Sequence, residues 1–159
     1  MSGEFVYEFD AAGRTTMLPG SPRLKSLAFR LPTLLGQPGR STLSVWRLAP
    51  GQHLFDVTPE TMPSTFLQAA GTAEAMSIEW RRVDDDGVER LYTLGHGGSR
   101  RGAPTVEIAF QGGAHSVWVY PDEVFQADEA GEILLRYFET QTVPGKYVLR
   151  EFDLTWPKP

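Results

Sequence analysis

The chain of 159 residues has no cysteine, which excludes disulfides, a thiolate nucleophile and a cysteine-ligated zinc site. It has no apolar run near the roughly 18 residues that a membrane-spanning helix needs. It also has no surplus of positive charge: the formal net charge is −5. That sign opposes non-specific nucleic-acid binding, which depends on Lys and Arg neutralising phosphates. It suits a basic partner, and it is also ordinary solubility chemistry. The opening residues, Met1 to Asp10, carry neither a basic stretch nor an apolar core of the secretory kind, so no signal peptide is expected and the cytoplasm is the expected compartment. Repeats, low-complexity tracts and linker-like segments are absent as well. One domain over residues 1–159 is therefore expected.

What is present is globular. Apolar residues make up 41% and charged residues 22%, and nine Phe, five Tyr and four Trp supply large side chains for a core. Phe5 to Phe9 reads as an opening strand ended by Asp10 to Gly13. Ser21-Pro22 has the form of a helix start, and Leu24, Leu27, Ala28 and Leu31 recur at helical spacing until Pro32. Thr33 to Arg40 reads as loop, Thr42 to Leu48 as a strand, and the Pro59/Pro63 region as irregular. Met76, Ile78 and Trp80 alternate with Ser77, Glu79 and Arg81, the pattern of a half-buried strand. Asp84-Asp85-Asp86-Gly87 is turn chemistry. Val88 to Leu94, Thr105 to Phe110 and His115 to Tyr120 read as further strands, giving with the first an antiparallel meander of four. A main helix follows, expected to be capped by Asp128, with Ala130, Ile133, Leu134, Tyr137 and Phe138 inward and Glu129, Glu132, Arg136 and Glu139 in water. Pro144 and Gly145 stop it, and Lys146 to Leu154 closes as a strand. The fold class expected is α+β: a twisted antiparallel sheet packed by one main C-terminal helix and a short N-terminal one.

Motifs that carry chemistry are missing. The loop Gly95 to Gly102 is glycine-rich, but a strand follows it and no Gly-Lys-Ser/Thr opens a helix, so it is no phosphate cradle. Ser99 lacks the final glycine of a nucleophile elbow, since Arg101 stands there. A mobile loop with solvated arginines is the expectation. His53, His96 and His115 are too dispersed for a metal motif, and Asp84 to Asp86 lack the spacing of a calcium loop. No catalytic residue, metal or cofactor is therefore assigned. Trp118 and Tyr120 lie on one side of their strand, opposite Val117 and Val119, and Asp122 and Glu123 follow in a loop whose Val124 is placed against the helix start. Aromatics flanked by carboxylates suit a binding hot spot.

From Val106 onward the chain resembles the Imm1-like immunity proteins of bacterial polymorphic toxin systems. The elements in common are the aromatic strand Val117-Trp118-Val119-Tyr120, the acidic proline turn Tyr120 to Phe125, the helix from Ala127 to Phe138, the break Thr140 to Pro144, and the closing strand. Gln141 stands where that family often has glycine. The resemblance implies a cytoplasmic, non-enzymatic protein that binds and occludes a cognate toxin domain, such as a nucleic-acid deaminase or nuclease. Such toxins tend to be basic, which an acidic inhibitor complements. The partner-binding residues expected are Trp118, Tyr120, Asp122 and Glu123, with Asp84, Asp85 and Asp86 at the rim. The alternatives are a small α+β enzyme or ligand-binding domain with a pocket between sheet and helix, and an adaptor within a larger assembly.

Overall fold

The alternation seen in the sequence builds a sheet with two different faces. The computed structural model of the chain describes residues 4–10, 12–17, 22–49, 51–53, 57–58, 64–110 and 113–152. Within them the elements run β1 (Phe5–Phe9), β2 (Ala12–Met17), α1 (Leu24–Arg30), β3 (Thr42–Arg47), β4 (Phe66–Gly71), β5 (Met76–Val83), β6 (Glu89–Gly95), β7 (Val106–Phe110), β8 (His115–Val119), α2 (Ala127–Thr140) and β9 (Val148–Phe152). Seven strands form one antiparallel sheet in the order β2-β1-β3-β4-β5-β6-β9, and β7 and β8 form a separate pair. The architecture is α+β, with a short early helix and a longer late one.

One face of the large sheet is apolar. Phe5, Leu43, Val45, Leu67, Met76, Ile78, Trp80 and Leu94 point from it onto Ala130, Ile133, Leu134, Tyr137 and Phe138 of α2, the stripe expected from the 3.6-residue period. Leu24 and Ala28 of α1 and Leu31 of the 3₁₀ turn Leu31–Leu34 complete this layer. Each large side chain buried there contributes about 1.5–3 kcal/mol. The two helices meet closely because Gly131 has no side chain: a Cβ there would lie 2.5 Å from the Phe29 ring.

Several details differ from the sequence reading. The two predicted hairpins form, but β6 pairs along its free edge with β9 rather than with β7. The four-strand meander of the large sheet is β3-β4-β5-β6, while the chain leaves the sheet after Gly95 and lays β7–β8 across its other face. Strands β2 and β4 are additions. β2 lies at an edge, where burial imposes little pattern, and β4 is rich in small residues. Asp128 does not cap α2. The helix begins earlier, with Gln126 at the cap position, because Phe125 pairs with Met76 and Ala127 N–H donates to Ala73 O, which fixes the entry of the chain. Asp128 instead accepts from the Glu129 N–H in the first turn. Ser21 lies outside the described residues, as do Pro59 and Pro63.

Candidate functional site

The second face of the large sheet is where polar groups collect. Register places one residue from each of six strands in a single row: Glu8, Ser44, Gln68, Glu79, Thr93 and Arg150. At the usual strand spacing this row is about 24 Å long. Apolar clusters flank it. Val6, Trp46, Leu48 and Val57 lie on one side, and the β7–β8 hairpin sits on the other, with Ile108 and Val119 against Ala70. The ends of the row are internally neutralised: Arg14 donates to Glu8 at 3.0 Å, and Arg150 donates to both oxygens of Glu123 at 2.9 Å. Its centre is not. Thr93 and Ser77 are 0% and 1% exposed, and neither hydroxyl has a hydrogen-bond partner among the described residues. Glu79 is half-buried between them and the row's other members, and burial pushes its carboxyl up to about 7, with Arg150 pulling it down and Glu123 pushing it further up.

Gly95 explains how the loop after β6 closes over this face. A Cβ at Gly95 would lie 2.5 Å from Arg100 Nη2, 2.7 Å from Asp122 Oδ2 and 3.2 Å from Glu123 Cγ, so only glycine leaves room for the ion cluster above it. Arg100 grips Asp122 through two bonds, Nε to Oδ1 at 2.9 Å and Nη2 to Oδ2 at 2.7 Å, and Gly97 N–H adds a third. The Arg100 guanidinium holds the Asp122 carboxyl below its usual range despite partial burial. The loop expected to carry solvated arginines therefore solvates only Arg101; Arg100 ties it to the 3₁₀ turn Pro121–Glu123.

The seven residues expected at a partner face separate into three environments. Trp118 is 51% exposed on the outer side of β8, directly across from Glu107. Tyr120 is not beside it in an open platform. It lies half-buried between the Arg100 and Arg150 guanidiniums, 5.0 and 5.2 Å from its ring, and its hydroxyl donates to Gly102 O. Asp122 is bound as above, and Glu123 is 0% exposed, accepting from Arg150 and from Tyr120 N–H, so it offers no surface. Asp84 receives Arg82, Arg90 and the Tyr92 hydroxyl, and Asp86 receives Arg90, which leaves Asp85 exposed at that turn. That turn joins the far ends of β5 and β6. The seven residues of β6 put it about 20 Å from Gly95, so it belongs to a different end of the molecule.

On the helical side of the same junction, His96 stacks on Phe125 at 4.5 Å. Its Nδ1 lies 2.8 Å from Asp122 O and its Nε2 2.8 Å from Glu129 Oε1, two acceptors that call for the doubly protonated ring. Partial burial opposes that charge, but the bond to Glu129, the carbonyl and the nearby acids outweigh it and raise the His96 pKa above its ordinary value. Glu129 also accepts from the Tyr147 hydroxyl, so it is not the solvated side chain the helical pattern suggested. Val124 packs under the β7–β8 hairpin, and Phe125 takes the core position at the helix start. His115 stacks on Phe110 in another region, and no group of three metal-ligating side chains occurs among the described residues.

One signal for this site was present in the alternation of β5: Ser77, Glu79 and Arg81 share a strand face, and only the return of β7–β8 and of the Pro121–Glu123 turn makes that face partly interior. Arg100 and Arg150 carried no signal, because their partners lie 22 and 27 residues away. No family model, curated protein or solved structure matches the chain.

Proposed function

We propose that the chain is a protein-binding inhibitor, an immunity protein that occludes a cognate toxin domain without catalysis of its own. Trp118 carries the reading. It projects from a hairpin laid over the sheet, 51% exposed and paired across the strand with the exposed carboxylate of Glu107. A large aromatic with a polar rim is where interface energy concentrates. Two further features agree with it. Gln141, at the position where the resembled family often has glycine, adopts the left-handed conformation at φ 56°, the backbone state that favours glycine. The charge of −5 complements a basic nucleic-acid-directed toxin. The rim contributor left by the geometry is Asp85, whose role would be to steer encounter rather than to anchor.

The enzyme reading has one observation in its favour, the Glu79 carboxyl near 7, a value suited to proton transfer at neutral pH. The site would then lie on the polar sheet face, since the space between sheet and helices is filled by Phe5, Trp80, Phe125, Tyr137 and Phe138. Co-expression with the C-terminal domain of the adjacent gene's product separates the two. Growth rescue and co-purification support the inhibitor; no rescue, together with turnover of a small molecule by this protein alone, supports the enzyme.

A further inference from the structure

The end of β1, the loop from Gly36 to Ser41, the end of β4 and the loop end of the β7–β8 hairpin border a cavity of about 300 Å³. Its walls meet closely at Gly71, where a Cβ would lie 3.0 Å from Ile108 Cγ2. The one charge in the wall is Asp10. Its Oδ1 collects four donors, the N–H and hydroxyl of Ser41 at 3.1 and 2.8 Å and those of Thr42 at 2.8 and 3.1 Å. Its Oδ2 shares only the Ser41 N–H, at 3.2 Å. All of these donors are neutral. Burial pushes the carboxyl up, but the bonds to Ser41 and Thr42 outweigh it and hold the group below its ordinary value, so it is charged at neutral pH. No cation among the described residues pairs with it. Arg14, on the adjoining strand, donates to Glu8 and Val57 O, and Arg40, in the adjoining loop, lies over the Phe9 ring and donates to Gln37 Oε1. The rest of the wall supplies no charge. The N–H groups of Gly36, Gly71 and Thr72 are spent on Arg40 O, Ser41 O and Ala75 O, the Gln37 amide is neutral, and Phe110 adds an aromatic ring.

We propose that this cavity receives one cationic side chain, an arginine or lysine of the protein partner, its head group on Asp10 Oδ2 and its stem along Phe110. A carboxylate with one oxygen left open, beside an aromatic ring, favours an organic cation over a neutral or anionic group. The source follows from the mouth of the cavity. Ala109 lines it and shares the exposed side of β7 with Glu107, one side-chain position or about 7 Å away. Glu107 is the residue directly across from Trp118, so a partner seated on Trp118 is within reach of the mouth. The proposal deepens the inhibitor reading and rests on it for the identity of the donor.

Asp10→Asn tests the charge by itself, because asparagine tolerates the left-handed backbone at φ 51° and keeps an oxygen for Ser41 and Thr42. Ala109→Leu is a second variant that narrows the mouth and leaves the Asp10 bonds untouched; urea midpoints confirm that both fold. Two experiments separate the cavity from the function. In the first, ethylguanidinium and, separately, butylammonium are titrated into the protein alone at low salt, with ethylurea as the uncharged counterpart. The amide resonances of Gly36, Gly39, Gly71 and Gly113 are followed by ¹H–¹⁵N NMR. A saturable shift at these glycines is expected with a cation and not with ethylurea, weakened about tenfold or more in Asp10→Asn. In the second, affinity for the C-terminal domain of the adjacent gene's product is measured for wild type and both variants, each of which should bind about tenfold more weakly. Saturable cation binding with a complex unaffected by Asp10→Asn overturns the partner's side chain as the occupant and leaves the inhibitor reading standing. Absence of a saturable shift with either cation overturns the cavity as a cation site, whatever the partner domain does. Saturable binding with no complex at all removes the inhibitor reading, and the partner's side chain as occupant falls with it.

Discussion

Replacing Glu123 by alanine should be among the most damaging single changes in the protein. The side chain is 0% exposed and its two oxygens take Arg150 Nε and Nη2 at 2.9 Å each and Tyr120 N–H at 2.8 Å, with Arg100 Nη2 at 3.4 Å. Removing one member of a buried pair costs about 3–5 kcal/mol, because the charge left behind has no counterion. Arg150 is 26% exposed and can recover some hydration, which moves the expected loss to about 3–4 kcal/mol. That is a large share of a typical domain's 5–15 kcal/mol. Glu123→Gln keeps an acceptor for Tyr120 N–H and loses only the charge, so about 1–2 kcal/mol is expected. Combining Glu123→Leu with Arg150→Met should cost less than Glu123→Ala alone, since neither charge is then stranded. Urea unfolding followed by tryptophan fluorescence and circular dichroism, with slopes compared to confirm a shared unfolded state, reads all three. A Glu123→Ala loss under about 0.5 kcal/mol, the scale of an ordinary surface change, would mean that Glu123 is neither buried nor paired as described.

Gly95→Ala should lose about 1–3 kcal/mol, the cost of overpacking, because the new methyl meets Arg100 and Asp122 within 2.7 Å; urea midpoints measure it, and a neutral result would mean the loop does not close over the sheet. Tyr137→Ala should cost about 3–5 kcal/mol and Glu132→Ala almost nothing, whereas Tyr137→Phe should be neutral or stabilising by up to about 1 kcal/mol, since the hydroxyl is buried without a partner among the described residues. His96 has its pKa raised in the folded state, so its contribution is full below about 6.5 and fades as pH rises through the folded value. The stability gap between wild type and His96→Gln should therefore narrow from pH 5.5 to pH 8.5, and the difference within the pair cancels the separate titration of Glu79. A gap that widens would contradict the imidazolium assigned to His96.

Periodicity made much of this fold legible. The alternation at Met76 to Arg81 and the stripe from Ala130 to Phe138 each reflect burial of one face, which local sequence records directly. What it could not record was which strand borders which. Gly95 to Gly102 looked like a connection between neighbours, yet a salt bridge from Arg100 to a residue 22 positions later turns it across the sheet. The site was half legible for the same reason. Alternation sets Trp118 opposite Val117 and Val119 without saying which side is covered, and the structure leaves Trp118 51% exposed. Asp122 and Glu123 looked like surface acids, and only the approach of Arg100 and Arg150 from distant strands and loops turns them into internal ties. Glu79 looked like the wet side of a strand and becomes half-buried under elements that arrive later in the chain.

The central claim, that this protein occludes a toxin domain through the face bearing Trp118, is tested most directly by titrating the purified C-terminal domain of the adjacent gene's product into wild type and Trp118→Ala. A one-to-one complex is expected, with Trp118→Ala dissociating faster and binding more weakly by about 2 kcal/mol or more, roughly thirtyfold, at unchanged folding stability. Absence of any complex with the wild type, or a complex whose affinity is the same with Trp118→Ala, would contradict the account.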